Sequence, residues 1–184
     1  ADLAFTMHML SWLAVDGVAA IVEFPGVLYR GGAEARIRKY LVDNNYVDAV
    51  IQLPPDLFFG TTIGTCIIVL KKAKRDNAVL FVDASKQFVR QGNKNKLSPE
   101  NQEVILGMLR ERADVEYTAA LVDAERIVDN GYNLSVSAYV EAEDTREVID
   151  IAELNARIRR IVTHQEELRA GIDKIVADLE GDEK

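Results

Sequence analysis

Residues 46–72 constrain the fold most, because two apolar runs in this segment enclose a loop of unusual composition. Residues 47–53 and 65–70 are β-branched and apolar with almost no polar alternation, which predicts strands buried on both faces beneath helices. The loop between them reads PPDLFFGTTIG, and its two prolines and two glycines exclude it from the ladder of either strand. Phe58 and Phe59 on this loop either fold over the end of the sheet or await a flat ligand.

The rest of the chain alternates helices and strands, which predicts an α/β sheet with helices on its faces. Helices are expected over residues 2–15 and 33–43 and after the Ser98-Pro99 start signal, and buried strands over 18–24 and 77–85. The polar run 86–96 is predicted to be a long loop, and residues 113–140 to be short or irregular elements. Because the 54–64 link is too short for a crossover helix, its two strands are predicted to form an antiparallel pair at the sheet edge.

The cysteine content, the lack of a long apolar run and the start of the sequence limit the kinds of protein to consider. Cys66, the only cysteine, lies in an apolar strand, so it is expected to be a buried structural thiol. Because no apolar run reaches the length of a membrane span and no leader opens the chain, a cytoplasmic protein without a membrane partner is expected. The chain starts at Ala1 and enters a helical pattern at once, so we expect an N-terminal portion to be missing.

Charge is unevenly distributed along the chain. The net charge is −8, yet residues 71–96 carry eight basic and two acidic side chains, so the remainder is strongly acidic. A surface that binds DNA phosphates is therefore expected to be local to this stretch; the alternative is a solvated, lysine-rich loop. The candidate phosphate-binding residues are Lys71, Lys72, Lys74, Arg75, Lys86, Arg90, Lys94 and Lys96.

The C-terminal tail carries the clearest periodic pattern. Apolar residues recur at alternating spacings of three and four, with Gln165 as the one polar position, which predicts a coiled-coil helix. We therefore expect residues 1–140 to form one domain and residues 141–184 a helical tail that docks on partner helices. The proposed docking residues are Ile151, Leu154, Ile158, Ile161, Leu168, Ile172, Ile175 and Leu179.

Four colinear segments give the chain a resemblance to a known family. FPGVLYRGGAEARIRKYL, LPPDLFFGTTIGTCIIVLKK, VLFVDASKQFVRQGNKNKLS and DNGYNLSVSAYV together resemble the C-terminal half of the modification subunit of type I restriction-modification systems. That resemblance implies an adenine-specific DNA methyltransferase that uses S-adenosylmethionine, with a partial Rossmann-like sheet followed by the coiled-coil helix. Gly64 stands where the family is expected to carry proline, which puts the rigidity of the loop in doubt.

The resemblance also implies which parts the sequence lacks. Neither the glycine-rich cofactor loop nor the catalytic Asn/Asp-Pro-Pro-Tyr/Phe motif occurs, and Pro54-Pro55 lacks the preceding Asn or Asp. No catalytic residue is therefore assigned, the chain alone is expected to be inactive, and S-adenosylmethionine is expected to bind it weakly or not at all. Similarity to related methyltransferases points to Phe58, then Phe59, as the stacking face for a flipped adenine. Phe5 either edges the adenine of the cofactor or belongs to the core.

The resemblance implies three macromolecular partners: double-stranded DNA, a specificity subunit docked on the tail helix, and a restriction subunit in the full complex. The alternative hypothesis is a non-catalytic interaction module that docks through its coiled coil. A nucleotide-binding oxidoreductase is not supported, because no glycine fingerprint is present. No metal site is expected either.

Overall fold

The computed structural model describes residues 2–143 and 150–181. The chain forms two compact units, Ala1–Glu143 and Asp144–Lys184. The predicted domain boundary at residues 140 and 141 falls close to residues 144–149, which lie outside the described residues.

Within its described residues, 2–143, the first unit has four helices and seven strands. The helices are α1 (Asp2–Trp12), α2 (Ala33–Asp43), α3 (Pro99–Glu111) and α4 (Ala124–Asp129), with 3-10 turns at Pro25–Leu28 and Val136–Ala138. The strands are β1 (Val18–Glu23), β2 (Val47–Gln52), β3 (Cys66–Lys71), β4 (Val79–Asp83), β5 (Val89–Gln91), β6 (Lys94–Lys96) and β7 (Ala119–Val122).

Five of the strands form one mixed sheet in the order β1-β3-β2-β4-β7. Strand β3 is antiparallel to both β1 and β2, β2 is parallel to β4, and β4 is antiparallel to β7. The predicted antiparallel pairing of β2 with β3 is confirmed. Its predicted place at the sheet edge is wrong, because β1 pairs with the outer side of β3 and β4 with the outer side of β2.

Helices cover both faces of the sheet, as the alternating pattern predicts. On one face α1 and α2 contribute Leu3, Leu10 and Leu41 to a core that includes Phe81. On the opposite face Ile105 of α3 packs with residues of β2 and β4. Strand β2 is almost wholly buried because both of its faces are covered.

Two predicted elements are less buried than expected. The apolar sequence of residues 2–15 predicts a helix buried on much of its circumference, but α1 ends at Trp12 and only its Leu3, Thr6 and Leu10 are fully buried. Phe5 and Trp12 on the same helix are solvent-exposed. Strand β1 alternates exposed and half-buried residues, because it is the outermost strand of the described sheet.

The prediction that residues 86–96 form a long loop is wrong. Strands β5 and β6 form a separate antiparallel hairpin within it, joined by Gly92 and Asn93. Gly92 has a φ of 62°, the left-handed conformation that glycine tolerates at the first position of a tight hairpin turn.

The second unit is described over one helix, α5 (Ile151–Gly181). Its N-terminus is capped by Asp150, whose carboxylate accepts hydrogen bonds from the backbone N–H groups of Ala152 (2.8 Å) and Glu153 (3.2 Å). The predicted helical periodicity is present from Ile151 to Leu179, and these apolar side chains are exposed on the helix.

No helix within residues 2–143 and 150–181 is both long enough and apolar enough to span a bilayer.

Candidate functional site

A cavity of about 480 Å³ lies where the C-terminal end of β1 meets the N-terminal end of β3 and the 54–64 loop. The pairing of Glu23 with Cys66 places these two strand ends side by side. Helix α1 closes one side, because it packs against β1. The lining residues are Asp2, Phe5, Ile21, Val22, Glu23, Phe24, Phe58, Phe59, Thr61 and Thr65.

Four phenylalanines dominate the wall of this cavity. Phe58 and Phe59 come from the loop, Phe5 from α1 and Phe24 from the end of β1. Phe59 is 98% exposed, Phe5 69% and Phe58 41%, so these rings do not fold over the end of the sheet as core residues. The three aromatic residues singled out in the sequence therefore lie around one cavity, and the sequence did not single out Phe24.

Polar groups converge on the same cavity. The Thr6 hydroxyl donates a hydrogen bond to Glu23 Oε1 (3.1 Å), and burial raises the pKa of the Glu23 carboxyl above its usual value, with a smaller opposing effect of that hydrogen bond. Thr65 Oγ1 is buried and has no hydrogen-bond partner among the described residues. An aromatic wall with carboxylate and hydroxyl groups is suited to a flat ligand that carries hydrogen-bond donors.

The loop that carries Phe58 and Phe59 is closed at its base and strongly bent at its tip. Leu53 N–H donates to the carbonyl of Thr65 (2.8 Å), and Asp56 and Gly60 have φ values of 58° and 78°. A Cβ atom at Gly64 would lie 3.1 Å from the Leu53 carbonyl oxygen, so a glycine at this position permits close packing of the two ends of the loop.

The β5–β6 hairpin holds this loop from outside, a role that the sequence reasoning missed. The Asn95 side chain donates to the carbonyl of Pro55 (2.8 Å), and Lys94 Nζ donates to the carbonyls of Phe58 (3.0 Å) and Thr61 (3.2 Å). The one local signal is the dipeptide Gly92-Asn93, which is typical of a two-residue hairpin turn, although the residues on either side of it are mostly polar.

Asp56, which follows the two prolines, is held by cations. Its carboxylate lies 3.4 Å from Arg90 Nη1 and 4.0 Å from Lys94 Nζ. Because Asp56 and the carbonyl of Pro55 are both held by the hairpin, Pro54-Pro55 is interpreted as a structural part of the loop.

The eight basic residues do not form one continuous surface. Lys86, Arg90, Lys94 and Lys96 lie at the loop end of the sheet. The remaining four lie at its opposite end, where Lys71 is the last residue of β3 and the other three come just after it. The two ends of β3 are separated by the length of the strand, so one stretch of sequence supplies two groups of cations.

The group at the far end is largely engaged in structural contacts. Lys71 Nζ lies 2.7 Å from the buried Asp48 carboxylate, and Lys74 Nζ donates to the carbonyls of Val47 (2.7 Å) and Ala78 (2.8 Å). Burial lowers the pKa of Lys74 to about 8. Lys72 donates to the carbonyl of Leu13, while Arg75 is exposed.

Cys66 is fully buried beside the cavity, as expected. Its Sγ donates to the carbonyl of Glu23 (3.4 Å), and burial raises its pKa to about 12. A thiol in this state is a poor nucleophile.

No group of three histidine, cysteine, aspartate or glutamate side chains among the described residues is arranged to ligate a metal ion.

Comparisons with known proteins identify what the chain is similar to. The family model described as N-6 DNA methylase matches residues 1–148. The type I restriction enzyme MpnII methylase subunit of Mycoplasma pneumoniae is 46% identical over 183 residues, which cover 99% of this chain and 34% of that protein. The MjaVIII methylase subunit of Methanocaldococcus jannaschii is 36% identical over 149 residues, covering 78% of this chain and 26% of that protein.

A solved structure gives the same relationship. The type I restriction-modification system methyltransferase subunit from Streptococcus thermophilus superposes with a TM-score of 0.75 at 44% identity, covering 77% of this chain and 30% of that one. The chain spans about a third of the length of the relatives that it matches.

Proposed function

Because the chain belongs to the N-6 DNA methylase family, we propose that it forms the C-terminal part of a type I restriction-modification methyltransferase subunit, including the base-stacking side of its catalytic domain. The intact subunit transfers a methyl group from S-adenosylmethionine to the exocyclic amino group of adenine in DNA. The observation that carries this proposal is the convergence of Phe5, Phe58 and Phe59 on one cavity at the strand ends.

Base stacking explains why aromatic rings are exposed at this place. An enzyme that acts on a base in duplex DNA must take that base out of the stack and hold it by stacking and by hydrogen bonds to its edge. Phe58 is the proposed stacking residue, because its ring lies in the cavity wall and is also partly exposed. Phe59 is the second candidate for stacking. Stacking of this kind contributes about 1–3 kcal/mol per base.

The cofactor, S-adenosylmethionine, supplies the methyl group when it is bound. Within this chain Phe5 offers a ring for the edge of the cofactor's adenine, and the neighbouring carboxylates of Asp2 and Glu23 offer hydrogen-bond acceptors. The sequence has no glycine-rich cofactor loop, so weak or no cofactor binding is expected for the 184-residue chain by itself. The sheet is the C-terminal part of a Rossmann-like methyltransferase sheet in this proposal.

DNA phosphates are proposed to meet the basic residues at the loop end of the sheet. Lys86 and Lys96 are the favoured contacts, because they lie at the same end as the aromatic cavity. Lys86 is exposed although it pairs with Glu143 at 3.0 Å, and exposed pairs of this kind exchange readily with other ions. Lys71, Lys72, Lys74 and Arg75 would reach only DNA that extends to the opposite end of the sheet.

The tail helix is proposed to dock on the specificity subunit as a coiled coil. On the helix itself, the seam side chains are between 45% and 71% exposed, which leaves an apolar stripe available to partner helices. Residues 141–184 would then form the docking part of the subunit and residues 1–140 the catalytic part. The restriction subunit joins in the full complex. The same stripe supports the alternative function, a non-catalytic module that docks through this helix.

Replacing Phe58 by Ala in a methyltransferase subunit that contains this chain distinguishes the two functions. We expect the rate of methyl transfer to DNA to fall by about 5- to 150-fold, which corresponds to the stacking free energy. The matched control is Phe88→Ala, because Phe88 is also an exposed phenylalanine but lies outside the cavity. Unchanged methyl transfer by Phe58→Ala would eliminate the stacking role.

A further inference from the structure

The tip of the 54–64 loop has little structure of its own to fix the aromatic rings. Within the described residues it forms no strand or helix, and two of its residues are prolines without a backbone N–H. Ile63 N–H donates to Thr61 Oγ1 (3.1 Å) inside the loop. A loop with so few internal bonds needs external contacts to keep one conformation.

The β5–β6 hairpin supplies these contacts at four successive places along the loop. Asn95 reaches the first two carbonyls, that of Pro55 through its side chain (2.8 Å) and that of Asp56 through its backbone N–H (3.0 Å). Lys94 Nζ reaches the carbonyls of Phe58 (3.0 Å) and Thr61 (3.2 Å). The Lys94 ammonium thus bridges the two sides of the bend at Gly60 and fixes the backbone that carries Phe58.

The hairpin residues that make these contacts are themselves held in place. Asn95 is buried, and its Oδ1 accepts a hydrogen bond from Arg90 Nη1 (3.0 Å), which orients the amide so that Nδ2 faces Pro55. Arg90 also lies 3.4 Å from the carboxylate of Asp56. Hydrogen bonds that involve a charged group are stronger than neutral ones, so the two bonds that Lys94 donates are stronger than the two that Asn95 donates.

These contacts favour an internal role for Lys94 over phosphate binding. Its ammonium donates to two carbonyls and also lies 4.0 Å from the Asp56 carboxylate. A DNA phosphate would have to replace those partners, whereas Lys96 on the same hairpin is free of this constraint because its side chain is exposed.

We infer that Lys94 and Asn95 are positioning residues, and that the β5–β6 hairpin is a latch that preorganises the phenylalanine loop for its ligand. As far as the ligand is a flipped adenine, this inference rests on the proposed function. Preorganisation lowers the ordering cost of binding, so loss of the latch weakens binding without removing a ligand contact.

Hydrogen exchange of the 184-residue chain tests the latch without any ligand. In Lys94→Met, amides of residues 57–63 are expected to exchange at least about tenfold faster, while amides of β2 and β3 keep their wild-type rates. Lys94→Arg is expected to restore slow exchange, because a guanidinium can donate to both carbonyls. Lys96→Met is the matched control on the same hairpin and should leave the loop unchanged.

Asn95→Asp is the second variant. It keeps the shape of the side chain and the acceptor for Arg90 but replaces the donor to Pro55, so faster exchange is expected in the same loop. Unchanged loop exchange in Lys94→Met, or a uniform increase across the whole unit, would overturn the inference.

Methyl transfer by a subunit that contains the chain separates this inference from the proposed function. Lys94→Met should lower kcat/KM by about tenfold and Lys94→Arg should recover it. If Phe58→Ala leaves methylation intact while Lys94→Met still loosens the loop, the stacking role is wrong and the latch stands. If the loop exchange does not respond, the latch is wrong whatever Phe58 does.

Discussion

At the scale of single residues, Phe59 departs furthest from the usual burial of aromatic side chains. Its ring is 98% exposed although the same loop has Phe58 partly sheltered. Three other exposed phenylalanines line the same cavity, so the ring of Phe59 belongs to an apolar patch, and such patches mark binding sites. The exposure of these side chains is therefore what marks the cavity as a candidate ligand site.

The thiol of Cys66 lies beside the cavity, and its burial makes it a poor nucleophile. Burial raises its pKa to about 12, so the thiol stays protonated at neutral and mildly alkaline pH. We expect a thiol reagent such as Ellman's reagent at pH 8 to label the folded chain at least about a hundredfold more slowly than the chain unfolded in guanidinium chloride. Equal labelling rates before and after unfolding would contradict the burial of this residue.

At the scale of elements, the end of the sheet opposite the cavity is organised by one buried carboxylate. Asp48 lies in β2 where the pairing with β3 is irregular, and its oxygens are 2.7 Å from Lys71 Nζ and 2.9 Å from Arg112 Nη1. These pairs connect β2, the end of β3 and the residue after α3. The cations at this end thus stabilise the fold more than they form a free basic surface.

Asp48→Asn tests this assignment. The change keeps the size of the side chain but removes the charge between two cations, and we expect a loss of about 1–3 kcal/mol in the free energy of unfolding, measured by urea denaturation. Asp43→Asn is the matched control, because it breaks the exposed pair with Lys39 and should cause no measurable loss. Equal stability of the Asp48→Asn variant and the wild type would show that this cluster is not structural.

Strands β2 and β3 and the loop between them can be predicted from the sequence, because each depends on the types of residue in its own segment. The β-branched runs identify β2 and β3, and prolines and glycines identify the loop between them. The hairpin is missed because its residues are polar and carry no apolar period. The convergence of Phe5 with Phe58 depends on the pairing of β1 with β3, a long-range register that no local pattern contains. The sheet edge is mispredicted for the same reason.

At the scale of the whole molecule, the chain consists of one unit with the aromatic cavity and a second unit whose helix carries an apolar stripe. Five of the eight seam residues are isoleucines, and Gln165 interrupts the seam near its middle. One polar position in an apolar seam fixes the register between helices at some cost in stability. A defined partner is therefore expected for this helix.

Deletion of residues 149–184 tests the tail. A subunit truncated in this way should lose co-purification with its specificity subunit, while a subunit with the exposed Arg157 and Arg159 changed to Ala should keep it. Retention of the specificity subunit by the truncated protein would contradict docking through α5.

The most direct test of the account is to identify the methylated nucleoside. DNA is treated with S-adenosylmethionine and a subunit that contains this chain, digested to nucleosides and examined by mass spectrometry. The account predicts N6-methyl-2′-deoxyadenosine from that subunit and none from the 184-residue chain by itself. Methylated cytosine, or no methylated nucleoside from the subunit with its specificity partner and DNA target present, would contradict it.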